Sequence, residues 1–442
     1  MNNRNFFTQV SAAMLLLVLA MWSNSGTMNP YGLTGNIYPS NCNYLLNTDN
    51  YAFSQQLDFF LGAPIDVWRE NTIMRRILYP FLAHKFMARY GFEEGGFIFN
   101  VLLIVFTFLG FVTWLFRTYG MRAATIGAWL FASYPGITYW GGLPYSYIAI
   151  VPASVGAFVA LSWFCRRKES YLTTAIVSTV LGILSLAYDL LPYFIIAFVA
   201  LALMQTKWKQ IFVAIPLMAL PGIVWGLRLK QMGLSQTISN NLFDVIIDSW
   251  KSPIWSAWLQ HLANLPGNLA SNFFGSQFFF LAILFLLLYA MVRRDDDKQP
   301  NVVEWAWLIA IFTIFLINNG GPDRPKFNEY RNTQMARLYQ PMFIALMVYV
   351  ARVGGSLNLS RKKIARVFKG SWILCVAANF SVIFGVYFGW NHSAIVYQRF
   401  YEHAMRHTVV AQFNERLEKY GRRPMFHCLE KLPPEREAMN PP

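Results

Sequence analysis

The chain has 442 residues, of which 55% are hydrophobic and 17% are aromatic, while only 13% are charged. A typical soluble domain contains about 25% charged residues, so this composition excludes an ordinary soluble globular protein. The net charge of +15 does not indicate a nucleic-acid-binding protein, because the basic residues are scattered through short segments between apolar stretches. The four cysteines show neither a CxxC pair nor a Cys/His ligand spacing.

Apolar stretches recur along most of the chain, and each is close to the length that a helix needs to cross a bilayer. About 20 residues are required for roughly 30 Å of hydrocarbon, so we predict an all-α, polytopic transmembrane bundle of about eleven spans. The first span could also be a signal peptide, but its small-residue cleavage pattern is weak, which favours an uncleaved span. The predicted spans are 7–23, 96–116, 123–140, 145–165, 171–188, 190–205, 209–226, 275–292, 302–318, 336–353 and 370–389.

Basic residues follow alternate spans. These joints contain Arg117 and Arg122, then the segments 166–168, 207–209, 293–298 and 360–369. Lysine and arginine concentrate in cytoplasmic loops, which predicts an N-terminus inside and a C-terminus outside. The outer face then carries a first loop at about residues 24–95, within a membrane module of residues 1–390, and a C-terminal region of residues 391–442.

Part of the first outside loop has the pattern of a helix lying at the membrane surface. The segment "DVWRENTIMRRILYPFLAHKFMARYG" (66–91) has apolar residues at helical spacing and a basic face, with Pro80 predicted to break or bend it. It is either a structural helix on the bilayer or a lipid-facing wall whose arginines hold a phosphate.

Four short motifs, together with a first span followed by a large outside loop, give this chain a recognisable pattern. The motifs are "DNYAF" (49–53), "RRILYPFLA" (75–83), "ASYPGITYWGGLPYSY" (132–147) and "RNTQMARLYQPMFIAL" (331–346). The pattern resembles the glycosyltransferase C superfamily of polytopic membrane enzymes. This resemblance implies transfer of a sugar from a polyprenyl-phosphate-linked donor to a lipid or glycan acceptor at the extracytoplasmic face, as in a bacterial inner membrane.

The resemblance also implies roles for particular residues. Asp49 would be the general base, because glycosyl transfer removes a proton from the acceptor as it attacks. Tyr51 could stack on a sugar. Arginines would neutralise the lipid phosphate that leaves, and the candidates are Arg75, Arg76, Arg324, Arg331 and Arg337. The alternative for Asp49 is a helix cap or turn residue, since Asn47 and Thr48 beside it are also capping types.

One departure from the family pattern concerns a second acidic residue. Many members carry an acid in the second outside loop, whereas the segment "WGGLPYSY" has none. Asp189, at the next outside turn, could serve as that second acid or could be a plain turn residue. No cofactor is predicted with certainty, and a divalent metal is possible but not indicated: "RRDDDK" (293–298) has the pattern of a solvated turn, and "EHAMRH" (402–407) that of an amphipathic helix.

The predicted topology also suggests a disulfide. Cys42 and Cys428 both fall in outside regions, where an oxidising compartment permits a bond between them, although two free thiols are the alternative. Two other functions stay open: an O-antigen polymerase or ligase-like enzyme, and a transporter or flippase for an anionic lipid or solute. In each case the expected partners are membrane lipids and a lipid-linked or anionic substrate, and no nucleic acid.

Overall fold

The computed structural model describes residues 2–24, 60, 76–90, 92–142, 146–167, 170–232, 279–292, 295–318 and 341–357. Within these ranges the chain is helical and contains no strand, which confirms the all-α prediction. The α-helices are α1 (Asn3–Asn24), α2 (Leu78–Tyr90), α3 (Phe92–Tyr119), α4 (Met121–Ala132), α5 (Pro135–Gly142), α6 (Ile150–Arg166), α7 (Tyr171–Ser185), α8 (Leu191–Met204), α9 (Ile211–Gln231), α10 (Phe279–Val292), α11 (Val302–Asn318) and α12 (Met342–Ser356). Each predicted span except 370–389, which lies outside the described residues, coincides with one or two of these helices.

Four stretches are long and apolar enough to cross a membrane by length and composition: Asn3–Trp22, Gly95–Tyr119, Tyr147–Arg166 and Trp208–Gln231. Most of the remaining apolar helices are shorter than these four stretches. Their apolar composition is expected of an integral membrane protein, because a helix satisfies its own backbone hydrogen bonds and can therefore enter hydrocarbon.

Proline changes two details of the predicted elements. The prediction of one continuous helix over 123–140 is wrong, because α4 ends at Ala132 and α5 begins at Pro135. Proline lacks a backbone N–H and disfavours a helical residue before it, so the chain turns at Ser133 and Tyr134. The expected break at Pro80 takes a different form: Pro80 lies in the first turn of α2, where the missing N–H has no intrahelical partner to lose.

Helix α12 lies at the centre of the described bundle. Every residue from Met342 to Ala351 is buried, as expected for a helix that is apolar on all sides. It packs against α4, α10 and α11. The indole N–H of Trp307 in α11 donates to the carbonyl of Pro341 at 2.8 Å, which joins α11 to the start of α12.

Two helix contacts depend on glycine because backbones approach closely there. A Cβ on Gly95 of α3 would lie 2.4 Å from the carbonyl oxygen of Phe86, so only glycine lets α2 pack this closely on α3. A Cβ on Gly355 of α12 would lie 2.8 Å from the backbone nitrogen of Ala123 in α4. Small residues commonly permit such contacts between membrane helices. The first of the two contacts fixes α2, which carries part of the site described below.

The described helix ends form two groups. At one end, which we call the basic end, Arg166 donates to Thr118 at 3.5 Å and Lys207 donates to the carbonyl of Arg167 at 3.0 Å. Asn301, before α11, donates to the Tyr119 hydroxyl at 3.5 Å at the same end. This grouping agrees with the alternation of basic joints along the sequence. The side of the membrane that this end faces stays a prediction.

Candidate functional site

The turn between α7 and α8 lies at the opposite end of the bundle from the basic joints. The Ala187 N–H donates to Leu184 at 3.1 Å and the Leu190 N–H donates to Tyr188 at 2.7 Å, so the backbone itself holds the turn. The segment before α2 is attached to it, because the Leu78 N–H donates to the Leu186 carbonyl at 3.1 Å. This contact brings residues 76–78 beside the α7–α8 turn.

Arg76 and Asp189 form an ion pair at this junction. The Arg76 guanidinium donates from Nε at 3.0 Å and from Nη2 at 2.5 Å, and both bonds go to Oδ2 of Asp189. The two side chains differ in exposure: 11% of Arg76 and 28% of Asp189 are accessible. The guanidinium is therefore almost enclosed by protein, whereas its carboxylate partner reaches the surface.

Two tyrosines lie beside this ion pair. The Cζ of Arg76 lies 4.1 Å from the centre of the Tyr188 ring, close enough for a cation–π interaction. Tyr147, in the 3₁₀ helix Ser146–Ala149, makes an edge contact with Tyr188, with 5.3 Å between ring centres. We call Arg76, Tyr147, Tyr188 and Asp189 the Arg76 cluster. Its planar cation is held from one side by a carboxylate and over one face by an aromatic ring.

A buried hydrogen-bond network connects α2 to the bundle next to this cluster. The Tyr79 hydroxyl donates to Oδ1 of Asn100 at 2.6 Å, and the Asn100 amide donates to the Gly141 carbonyl at 3.4 Å. Both side chains are buried, so losing either partner would leave a polar group in an apolar environment. The network ties α2, α3 and α5 together three residues after Arg76, and it therefore restrains where Arg76 can lie.

Only two of the residues singled out from the sequence lie in the described ranges, and they are in contact: Arg76 and Asp189. The others lie outside the described residues, namely Cys42, Asp49, Tyr51, Arg75, Arg324, Arg331, Arg337 and Cys428. The predicted roles of these residues, and the Cys42–Cys428 disulfide, therefore stay predictions.

The sequence reasoning did not single out Tyr188 or Asn100. Tyr188 directly precedes Asp189, so an aromatic residue next to a candidate acid was a usable signal. Asn100 is an amide inside the apolar stretch "FIFNVLLIVF", where a polar residue normally needs a partner. The contact between Tyr79 and Asn100 joins α2 to α3, and no sequence pattern showed it.

No protein-family model matches this chain, and the curated proteins contain no match to it. In the part of the chain that the structure describes, no group of three or more His, Cys, Asp or Glu side chains is arranged to hold a metal ion. The possible chemistry is therefore argued from the Arg76 cluster. A guanidinium fork suits phosphate and carboxylate groups, and burial strengthens its charge-assisted bonds.

Proposed function

We propose that the protein is an integral-membrane glycosyltransferase that takes a sugar from a polyprenyl-phosphate-linked donor and transfers it to a lipid or glycan acceptor. The observation that carries the proposal is the ion pair of Arg76 and Asp189 at one end of an apolar helical bundle. The short sequence motifs shared with glycosyltransferase C enzymes support the same function.

The chemistry of the donor explains the need for a fixed cation. When the sugar leaves a lipid phosphate, negative charge develops on the phosphate oxygens, and positioned donors stabilise that charge. In this proposal Arg76 binds the phosphate and Asp189 is a positioning residue that holds the guanidinium. The Tyr188 ring, 4.1 Å from Cζ, limits the tilt of the guanidinium plane.

The same geometry supports a positioning role for Asp189. Asp189 already accepts two charge-assisted bonds from Arg76, so it is less available to take a proton from an acceptor. We therefore assign the general base to Asp49 and give Asp189 the positioning role. The remaining arginine candidates and Tyr51 would complete the donor site in this proposal.

The distribution of charge favours an enzyme over a transporter or flippase. A transport path needs polar or ionised groups near the middle of the membrane. The four long described helices carry charged residues only near their ends, such as Arg4 in α1, Arg117 in α3, Arg166 in α6 and Arg228 in α9. The ion pair of the Arg76 cluster also lies outside the middle of these helices, since it joins the segment before α2 to the α7–α8 turn.

The membrane side follows from the proposed topology. The Arg76 cluster lies opposite the basic end, which the positive-inside rule assigns to the cytosol. We therefore propose an extracytoplasmic active site, in a bacterial inner membrane, that is supplied by a lipid-linked donor in the outer leaflet.

The test uses the full chain purified into lipid nanodiscs, with a panel of labelled polyprenyl-phosphate sugars and release of polyprenyl phosphate as the readout. We expect at least one donor to be consumed by the wild type. Asp49→Asn should abolish this turnover without changing expression or thermal stability, because the role assigned to that carboxylate is in the reaction.

The matched control is Arg89→Ala, since Arg89 lies on the same helix as Tyr79 but is exposed. This variant should turn over donor at the wild-type rate. Full turnover by Asp49→Asn would make Asp49 a cap or turn residue. Movement of an intact lipid-linked sugar across a vesicle membrane, without cleavage of its phosphate bond, would replace the enzyme with a flippase.

A further inference from the structure

Four cations cluster at the basic end, on two segments that touch each other. Arg166 and Arg167 lie at the end of α6, and Lys207 and Lys209 lie between α8 and α9. The segments are joined by the Gln205 side chain, which donates to the Cys165 carbonyl at 3.2 Å. We call these four side chains the cation rim.

Three members of the rim lie over aromatic rings. The Cζ of Arg167 is 5.6 Å from the Trp163 ring centre. The Nζ of Lys207 is 4.9 Å from Phe164, and the Nζ of Lys209 is 5.8 Å from Trp208. Tryptophan and basic residues of this kind are typical of the boundary between hydrocarbon and head groups. The rim therefore has the composition of a membrane-interface site.

The backbone that presents Lys207 is unusual. Thr206 has a positive φ of 58°, and within the described ranges no other non-glycine residue does. This conformation is unfavourable for a β-branched residue. It lets the Lys207 N–H donate to the Ala202 carbonyl at 2.7 Å, which closes the end of α8. As a result, the Lys207 amine lies beside Phe164 and donates to the Arg167 carbonyl. The chain adopts a strained turn at the residue before a rim lysine.

Among the described residues, the positive charge of the rim lies next to an apolar surface. Within the described part of the chain, none of the four cations forms an ion pair with a carboxylate. Large apolar side chains beside them are exposed on the bundle surface, among them Leu203, Trp208 and Phe212. A partner that fits must bring negative charge to the rim and hydrocarbon to the adjoining surface.

We propose that the cation rim binds the head group of an anionic phospholipid, with the acyl chains packed along Leu203, Trp208 and Phe212. The head-group phosphate lies among Arg167, Lys207 and Lys209, where each cation contributes attraction to a negatively charged membrane lipid. This site is independent of the glycosyltransferase proposal, since it lies at the opposite end of the bundle from the Arg76 cluster.

The test is native mass spectrometry of the full chain from nanodiscs containing equal amounts of phosphatidylglycerol and phosphatidylcholine. We expect the wild type to retain phosphatidylglycerol selectively. The rim variant Arg167→Gln/Lys207→Gln/Lys209→Gln should lower the affinity for phosphatidylglycerol relative to phosphatidylcholine by about 100-fold, on the basis of roughly fivefold for each of the three cations near an anionic surface. The matched control, Arg89→Gln/Arg228→Gln/Lys230→Gln, removes three exposed cations elsewhere and should keep the wild-type selectivity.

Each outcome decides the proposal. Equal losses in the rim and control variants would show that net charge, rather than this site, selects the lipid, and would overturn it. Binding of inorganic phosphate that displaces phosphatidylglycerol at equal concentration would overturn the lipid as ligand, as would retention of a protein in its place. If the triple variant does not fold, the single variants Arg167→Gln and Lys209→Gln, both at exposed positions, must each lower selectivity about fivefold.

Discussion

Two arginine–carboxylate pairs occupy opposite ends of the described bundle, and they differ in how completely the protein encloses them. At the basic end, Arg352 of α12 donates to Glu304 of α11 at 2.8 and 3.2 Å. Glu304 has 0% exposure and Arg352 has 13%. At the other end, the carboxylate of Asp189 is 28% exposed. We call Arg352–Glu304 the closed pair, because its carboxylate is fully buried, and Arg76–Asp189 the open pair, because its carboxylate is partly exposed.

The closed pair links α11, α12 and the turn before α11 through several hydrogen bonds. Besides Arg352, Glu304 accepts from the Asn301 N–H at 2.8 Å, and the Asn301 side chain accepts from the Glu304 N–H at 2.9 Å. These reciprocal bonds form a capping box at the start of α11. Arg352 also donates to the carbonyls of Asp297 at 3.3 Å and Gln299 at 2.7 Å. The Arg352 guanidinium therefore holds the α10–α11 turn against α12.

The open pair differs from the closed one in the exposure of its acid. The Arg76 guanidinium donates from two nitrogens to one oxygen of Asp189, and the Tyr188 ring lies over the cation. The guanidinium of this pair is nearly buried, whereas its carboxylate is partly accessible. The comparison therefore shows that two ion pairs of similar composition can differ in how far the protein encloses their acid.

The largest effect on stability is expected from a substitution that breaks the closed pair. Arg352→Met should lower the free energy of unfolding by about 3–5 kcal/mol, because it leaves the buried Glu304 carboxylate without its cation. Chemical or thermal denaturation in a mild detergent measures this loss. Arg76→Met should lower stability less, since water can reach the Asp189 carboxylate.

The control for this experiment is Asp297→Asn, because Arg352 contacts only the backbone carbonyl of that residue. It should leave stability unchanged. The double variant Glu304→Leu/Arg352→Met should recover much of the lost stability, since replacing both members of a buried pair by apolar residues is often neutral. Equal stability losses for Arg352→Met and Arg76→Met would contradict the distinction between the two ends.

The next effect concerns ligand binding by the open pair. If Arg76 holds the donor phosphate, Arg76→Ala should weaken donor affinity about 10- to 150-fold, as expected for loss of a charge-assisted bond of about 1.5–3 kcal/mol. Binding to a polyprenyl-phosphate-linked sugar in nanodiscs is the measurement. Arg89→Ala, on the exposed side of α2, serves as the matched control and should bind normally.

An Arg76→Lys variant sharpens the same test. Lysine keeps the positive charge but cannot make two planar bonds, so an affinity between those of the wild type and Arg76→Ala supports a guanidinium-specific role. Wild-type donor affinity in Arg76→Ala would show that the donor phosphate does not bind at this end of the bundle. The Arg76–Asp189 pair would then have a structural function.

A smaller effect is expected in the network that supports the site. Tyr79→Phe removes the hydroxyl that donates to Asn100 at 2.6 Å, and it should lower stability by about 1–2 kcal/mol because a buried acceptor loses a partner. The exposed Tyr90 at the end of α2 provides a control, and Tyr90→Phe should have no measurable effect. A loss of the same size in both variants would show that the buried bond has no special value.

The helices were largely predictable because hydrocarbon leaves the backbone few alternatives. Apolar composition predicted the positions of α3, α6 and α9, since a chain in a bilayer must satisfy its hydrogen bonds internally. The break before Pro135 was missed because hydropathy does not report backbone geometry, although the proline itself carried the signal.

Two members of the Arg76 cluster, Arg76 and Asp189, were candidates from the sequence, but their arrangement was not predictable. Asp189 was identified from its charge near a predicted span end, and Arg76 as a basic residue of the first outside loop that the family resemblance assigns to a phosphate. The two residues are 113 positions apart, and no periodic pattern links them. Their contact depends on the packing of α2 at Gly95 and on the Leu78–Leu186 backbone bond, both of which are tertiary features. Tyr188 was missed for the same reason, since its role comes from the position of Arg76 above its ring.

The smallest predicted effect tests that aromatic contact and completes the contrast with the closed pair. The guanidinium of Arg76 lies 4.1 Å from the Tyr188 ring, and cation–π contacts of this kind are worth roughly 0.5–1 kcal/mol. Tyr188→Phe keeps the ring and should retain donor affinity, whereas Tyr188→Leu should weaken it roughly two- to fivefold. Donor titration in nanodiscs, with unfolding curves recorded for both variants, separates binding from stability. Equal affinity in the two variants would show that the ring fills space without orienting the cation.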